Sequence, residues 1–222
     1  TWRMMAERLL ILGTGAMACW YGARLAPQAD VTLGGQWVEG LAALRQHGLI
    51  LERDGHRSQH AVRAVGYGED LPAFRLALVL VKAYQTEAAA AALVRWLAPE
   101  GLAVTVQNGL GNLEVLADRL GAERVALGVT TAGATLVAPG IVREGGIGPT
   151  SIARHARAAA LISLLRGADL PADLADDALS LVWGKLAISA AVNPITALLR
   201  IPNGGLVAPP ARGALDTAKM AM

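Results

Sequence analysis

The chain has a single cysteine, Cys19, among 222 residues. No internal disulfide can form, and a reducing, cytoplasmic setting fits. Cys19 reads as a small packing residue rather than a nucleophile. Charge is scarce as well: 20 Lys and Arg stand against 18 Asp and Glu, a net of +2. That balance is too mild for a nucleic-acid partner, although the pI is near 9.0. The densest basic cluster, Arg154-His155-Ala156-Arg157, reads as a solvated helix start. Long uninterrupted apolar runs are missing. Mean hydropathy is +0.41, yet no stretch of about 18 residues is free of charge and glycine, as a membrane span requires. There is no signal-peptide pattern, and the chain opens on Thr1 rather than Met, so its true N-terminus is expected upstream. No metal site and no internal repeat are expected. The one low-complexity patch, Ala88–Ala92, falls within a helical pattern. What is abundant is apolar: 54% of residues, enough for one large domain or one and a half.

The most informative stretch is Arg8–Ala18. The apolar run Leu9–Leu12 ends in Gly13-Thr14-Gly15, and an Ala-rich helical segment follows from Ala16 to about Ala26. Strand, glycine turn and helix in that order suit a pyrophosphate. Gly13 permits the tight turn and Gly15 lets backbone come close. The helix N-terminus offers free N–H groups and partial positive charge. Ala18 fills the third position of the G-x-G-x-x-G/A pattern. An ordinary βα turn would look the same in isolation; its place between strand and helix favours a dinucleotide.

Val31-Thr32-Leu33 reads as the second strand. About 20 residues past a dinucleotide loop, an acid binds the ribose 2′-hydroxyl or an Arg takes a 2′-phosphate. Gly34-Gly35-Gln36 supplies neither, which leaves Gln36 as a neutral donor. Trp37–His47 forms an amphipathic helix closed by Gly48. Leu49–Leu51 and Ala61–Val65 read as short strands around a turn at Asp54-Gly55. Leu76–Val81 is a near-continuous apolar strand of the kind buried in a parallel sheet. It ends in Lys82, either a crevice-facing charge or a solvated strand end. Glu87–Leu97 is helical. Leu102–Val106 is the next strand, and it places Asn108 on the same crevice side, although Asn108-Gly109 also reads as a plain turn. Val125–Thr131 and Ala134–Val137 are strands, Pro139-Gly140 turns into Ile141-Val142, and Gly145–Gly148 suggests more sheet. From Ala156 the pattern is helical to the end.

Asp176–Arg200 is a long apolar helix interrupted at Pro194, where the missing N–H and the ring against the Ala190 carbonyl favour a kink. Lys185, Ser189 and Asn193, spaced four apart, form one polar line on a helix otherwise suited to burial. A buried Lys needs a partner. Such a line is also what a packed interface with a few satisfied polar groups looks like.

Seven segments now stand in order: Gly13-Thr14-Gly15-Ala16-Met17-Ala18, Val81-Lys82-Ala83-Tyr84-Gln85-Thr86, Gln107-Asn108-Gly109, Thr130-Thr131-Ala132-Gly133-Ala134, Trp183-Gly184-Lys185-Leu186, Asn193-Pro194-Ile195-Thr196-Ala197 and Pro202-Asn203-Gly204. Together they resemble the ketopantoate reductase (2-dehydropantoate 2-reductase) family over nearly the whole chain. The Trp-x-Lys-Leu to Asn-Pro-x-Thr-Ala spacing is the most specific part.

The resemblance implies an α/β fold. Residues 1–172 would form a Rossmann-type NADP-binding domain, and 173–222 the start of an all-α substrate and catalytic domain, incomplete here. It implies NADPH in the cleft and reduction of 2-dehydropantoate to pantoate, on the route to pantothenate and coenzyme A. Gly13, Thr14, Gly15, Ala16, Met17 and Ala18 would hold the pyrophosphate, Lys82 and Ala134 would contact cofactor, and Asn108 would lie near nicotinamide and substrate. Lys185 would donate the proton; Asn193 and Asn203 would bind substrate. Ser189 stands where the family often has Asn, and Gln36 where it often has Arg. Absence of an acid near Gln36 still leaves room for the 2′-phosphate of NADPH. A homodimer is left open. Family members continue past the equivalent of Met222, where a late substrate-binding Ser and cofactor-contacting Glu would lie, and Ala208–Met222 reads as the start of a helix. Two rivals remain: a related reductase of another 2-oxo acid, favoured by Ser189 and Gln36, and a non-catalytic nucleotide sensor, which would have no use for Lys185.

Overall fold

Strand-forming apolar runs and Ala-rich helices alternate along the first 178 residues. In the computed structural model, which describes residues 7–201 and 203–207, they give β1 (Glu7–Leu12), α1 (Ala16–Leu25), β2 (Ala29–Gly35), α2 (Val38–His47), β3 (Leu49–Arg53), β4 (His56–His60), β5 (Arg63–Gly66), β6 (Phe74–Val79), α3 (Thr86–Trp96) and β7 (Leu97–Thr105). There follow α4 (Asn112–Leu120), β8 (Val125–Thr130), β9 (Gly133–Ala138), β10 (Ile141–Gly146), β11 (Thr150–Ala153), α5 (Ala159–Gly167) and β12 (Ala172–Ala175). The chain divides into two units, Thr1–Ala178 and Leu179–Met222.

The first unit holds an eight-stranded sheet in the order β12-β11-β8-β7-β6-β1-β2-β5. From β8 to β5 all neighbours are parallel, and β11 joins β8 antiparallel. Because strand side chains alternate between faces, β1 feeds two cores. Leu9 and Ile11 pack with Trp20 and Tyr21 of α1 and Leu161 of α5. Leu10 and Leu12 pack with Leu93 and Trp96 of α3 and Leu116 of α4. A second sheet, β4-β3-β10-β9, packs against α1. The helix comes close enough there that a Cβ on Gly22 would lie 2.8 Å from Leu49 Cδ1. Trp20 Nε1 and Arg24 Nη1 reach the Glu144 carboxylate at 2.8 and 3.5 Å, tying α1 to β10.

Three local expectations give way. The Asp54-Gly55 turn joins β3 to β4 (His56–His60), not to the Ala61–Val65 stretch, whose β5 belongs to the main sheet beside β2. The pattern from Ala156 is not helical throughout: Ala172–Ala175 is an edge strand, parallel to β11. Nor do Arg154–Arg157 start a helix. Arg154 pairs with Asp176 at 2.6 Å, His155 Nε2 lies 3.0 Å from the Glu123 carbonyl, and Arg157 pairs with Glu100 at 3.0 Å. These cross-links hold a connection between β11 and α5.

The second unit begins with α6 (Ala178–Leu199), which continues through Pro194. A short 3₁₀ turn over Asn203–Val207 follows. The burial expected of α6 is not met: Trp183 is 55% exposed, Ile188 61% and Leu198 84%. The helix is apolar around its circumference, and the described residues cover only part of that surface. It is 22 residues long, with a mean hydropathy of 1.3 over an 18-residue stretch, long and apolar enough to cross a membrane by length and composition alone. Pro202 and Ala208–Met222 lie outside the described residues.

Candidate active site

After β2 and β5 the chain returns to the other side of β1 to lay down β6. Such a reversal leaves a crevice at the carboxyl ends of the two diverging strands, where open α/β sheets bind ligands. The loops after β1 and β6 meet there, with Leu80 N donating to Leu12 O at 2.8 Å. A cleft of about 610 Å³ opens above them, lined by Gly13–Met17, Gly35–Trp37, Tyr67, Leu80–Gln85, Val106–Asn108 and Ala134. Gln36, Lys82, Asn108 and Ala134, far apart in sequence, are brought to one rim.

The glycine turn fits a dinucleotide pyrophosphate in its details. Gly13 has φ 127°, and a Cβ on it would lie 3.2 Å from the Leu80 backbone and from Ala18 Cβ. The strand-to-helix turn is therefore tight, and buried Ala18 acts by letting the helix pack beneath it. Above Gly15 a Cβ would meet nothing within 4 Å. Gly15 is also the N-cap of α1, with no side-chain cap bond and no acid in the first turn. The helix end is thus open to an anion. At the end of β2, Gly35 packs on Thr14 and no acid lines the cleft beside exposed Gln36. Beneath the loop, burial pushes the Cys19 thiol up to about 12, and its Sγ donates to Thr14 O at 3.4 Å. This is the packing role expected of it.

On α6, Lys185, Ser189 and Asn193 keep their common line, with Lys185 and Ser189 half-buried and Asn193 exposed. Desolvation holds the Lys185 ammonium below the ordinary lysine range. The 3₁₀ turn brings Asn203 to the end of this line, where its Nδ2 donates to Asn193 Oδ1 at 3.3 Å and its Oδ1 accepts from Thr196 Oγ1 at 2.9 Å. Thr196, buried at 6% exposure, has no role that the sequence suggests; its hydroxyl links the two asparagines. The same holds for Tyr84 and Gln107, which line the cleft, and for Thr86, bonded to Gln107.

Another cavity of the first unit, about 520 Å³, lies at the far end of α1 and contains Arg24, Arg53 and Arg57. Each is already within ion-pair distance of a carboxylate, on Glu144, Asp54 and Glu52 respectively. Among the described residues no group of acids, histidines and cysteines is arranged to hold a metal.

Residues 9–157 match the family described as ketopantoate reductase PanE/ApbA. The chain is 33% identical over 219 residues to a 2-dehydropantoate 2-reductase of Halobacterium salinarum, covering 95% of this chain and 72% of that protein. A solved PanE/ApbA family ketopantoate reductase from Ralstonia eutropha JMP134 superposes with a TM-score of 0.83 at 29% identity, over 96% of this chain and 70% of that one. A D-mandelate dehydrogenase solved with NADH and anilino(oxo)acetate shares the fold, with a TM-score of 0.82 at 22% identity over 87% and 65% of the two chains.

Proposed function

The chain belongs to the ketopantoate reductase PanE/ApbA family of NAD(P)-dependent reductases, and on that premise we propose that it reduces the ketone of 2-dehydropantoate to pantoate with NADPH. NADPH, when bound, supplies the hydride for the ketone carbon. Gly13–Met17 cradle its pyrophosphate on the α1 N-terminus, with Ala18 packed below. Lys82 and Ala134, which line the same cleft, would contact the cofactor, and Gln36 would serve its adenosine end. With no acid among the residues that line the cleft there, a 2′-phosphate would meet no lining carboxylate, and Gln36 could donate to it.

The observation that carries the reaction is Lys185. Hydride addition leaves negative charge on the ketone oxygen, which an acid must protonate as it forms. Burial weakens the hold of Lys185 on its proton, so its ammonium donates more readily than a surface lysine. Ser189 and Asn193 repeat along its helix face, and Asn203 is bonded to Asn193. These groups would bind the carboxylate and hydroxyl of the 2-oxo acid, and the resemblance gives Asn108 a role toward nicotinamide and substrate. A reducing, cytoplasmic location fits the single thiol.

The test is NADPH oxidation, followed by absorbance, with 2-dehydropantoate and a panel of other 2-oxo acids. Highest kcat/KM is expected with 2-dehydropantoate and NADPH. A faster 2-oxo acid would overturn the substrate, equal or better efficiency with NADH the cofactor preference, and no turnover of any 2-oxo acid the catalytic reading.

A further inference from the structure

The loops that follow β6 and β7 carry Lys82 and Asn108, and side chains given no role above bind these loops to each other. Gln107 is at the centre. Its Nε2 donates to Val81 O at 3.0 Å and to Thr86 Oγ1 at 2.9 Å, while its Oε1 accepts from Thr105 Oγ1 at 2.9 Å. The Thr86 hydroxyl has one proton, which it shares between Ala83 O at 2.8 Å and Asn112 Oδ1 at 2.9 Å. Asn112 in turn donates from Nδ2 to Asn108 O at 3.2 Å. The carbonyls on both sides of Lys82 and that of Asn108 therefore belong to one connected set.

Thr86, Thr105 and Asn112 are buried, at 2%, 1% and 6% exposure. In such surroundings a satisfied polar network is stiff, and a missing member is costly. Only a primary amide serves at position 107. It offers two donors and an acceptor in one plane, as the Val81 carbonyl, the Thr86 hydroxyl oxygen and the Thr105 hydroxyl require. The α4 helix starts at Asn112, immediately after Gly111 turns the chain at φ 87°. Movement of the Asn108 loop is thus resisted at both of its ends.

We infer that Gln107 is a positioning residue that sets Lys82 and Asn108 relative to each other, so that cofactor binding at one loop depends on the other. The inference rests on the cofactor reading of the cleft. Gln107→Glu keeps the shape and the acceptor but loses both donors and places a carboxylate against the Val81 carbonyl. Gln107→Met, of similar length and without donors, serves if glutamate unfolds the chain. Amide hydrogen exchange is expected to quicken in both 81–86 and 108–112, while 13–18 keeps its protection. NADPH titrated calorimetrically should bind roughly tenfold more weakly, as for a lost buried hydrogen bond. Lys82→Ala should weaken binding in the wild-type protein yet add less than about twofold in the variant, because coupled residues are not additive.

Unchanged exchange in the two loops would overturn the inference whatever the activity. So would a Lys82→Ala effect of equal size in both backgrounds, the result expected of a network that merely stabilises the fold. Failure of the wild-type protein to bind NADPH would instead remove the cofactor reading, and the exchange measurement would still decide whether Gln107 couples the loops.

Discussion

The glycine turn after β1 and the polar line on α6 are built in opposite ways. At the turn the proposed role falls to the backbone: Gly15 is open above, the α1 N-terminus is uncapped, and the surrounding side chains are small or buried. On α6 the proposed roles fall to side chains, and the helix body carrying them is largely exposed among the described residues, with Leu179 at 55% and Ile188 at 61%. A backbone site is fixed by strand register and cannot be moved without moving the sheet. A side-chain site is fixed only by whatever covers its helix. Mutations should therefore separate binding from chemistry along this division.

The largest expected effect is on the helix. Lys185→Ala should lower turnover by roughly 10²–10⁴-fold, the span for loss of a general acid, while NADPH affinity stays within about twofold, since the glycine turn is untouched. Steady-state kinetics with calorimetric titration of NADPH measures both. A folded variant with near-normal kcat would remove Lys185 from the mechanism.

The turn should show the reverse pattern. Gly15→Val projects into the open space above α1, so NADPH binding should weaken by roughly 10–100-fold with little change in melting temperature, a loss comparable to one or two charge-assisted hydrogen bonds. Gly13→Ala is expected to act on stability instead. Its φ of 127° and the 3.2 Å approach to Leu80 make a side chain strained, costing on the order of 1–3 kcal/mol. If denaturant melts showed Gly15→Val to be the more destabilising, the division of labour within the turn would be wrong.

A pH profile sharpens the helix side. As the proposed proton donor Lys185 must be protonated, and burial holds its pKa below the usual 10.5. Turnover should therefore fall as pH rises through that lowered value, and the residual activity of Lys185→Ala should lack this limb. A wild-type kcat that stays flat to pH 10.5 would contradict the assignment. The smallest effect concerns Cys19, whose buried thiol is pushed up to about 12. It should resist thiol reagents in the native protein and react on unfolding; rapid native labelling would contradict its packing role.

How much of this could be read from sequence follows the same division. Many of the strands and helices that face a core show it in their pattern, although α4 and β11, with Leu116 and Ile152 fully buried, have no counterpart among the elements expected from the sequence. The run Leu9–Leu12, the glycine turn, α1 and the buried β6 carried clear signals, and the loop ends at Lys82 and Asn108 followed from them. β4 was missed because four of its five residues are exposed, so the edge strand has no apolar alternation to detect. β12 was absorbed into a helical pattern because four residues are too few to set a period. On α6 the polar line was legible, but the exposure of Trp183 and Ile188 was not, since composition reports suitability for burial and not the presence of a cover. The Gln107–Thr86–Asn112 connections were invisible for another reason. They join residues up to 26 positions apart through polar side chains that leave no periodic trace.

The most direct measurement is isotopic. The protein would be incubated with 2-dehydropantoate and NADPH deuterated at the transferable position of the nicotinamide, and the product examined by mass spectrometry and NMR. The expected result is pantoate carrying one deuterium on the new carbinol carbon, in amount equal to the NADPH consumed. Pantoate without deuterium, or NADPH consumed with no pantoate formed, would contradict hydride transfer to this ketone.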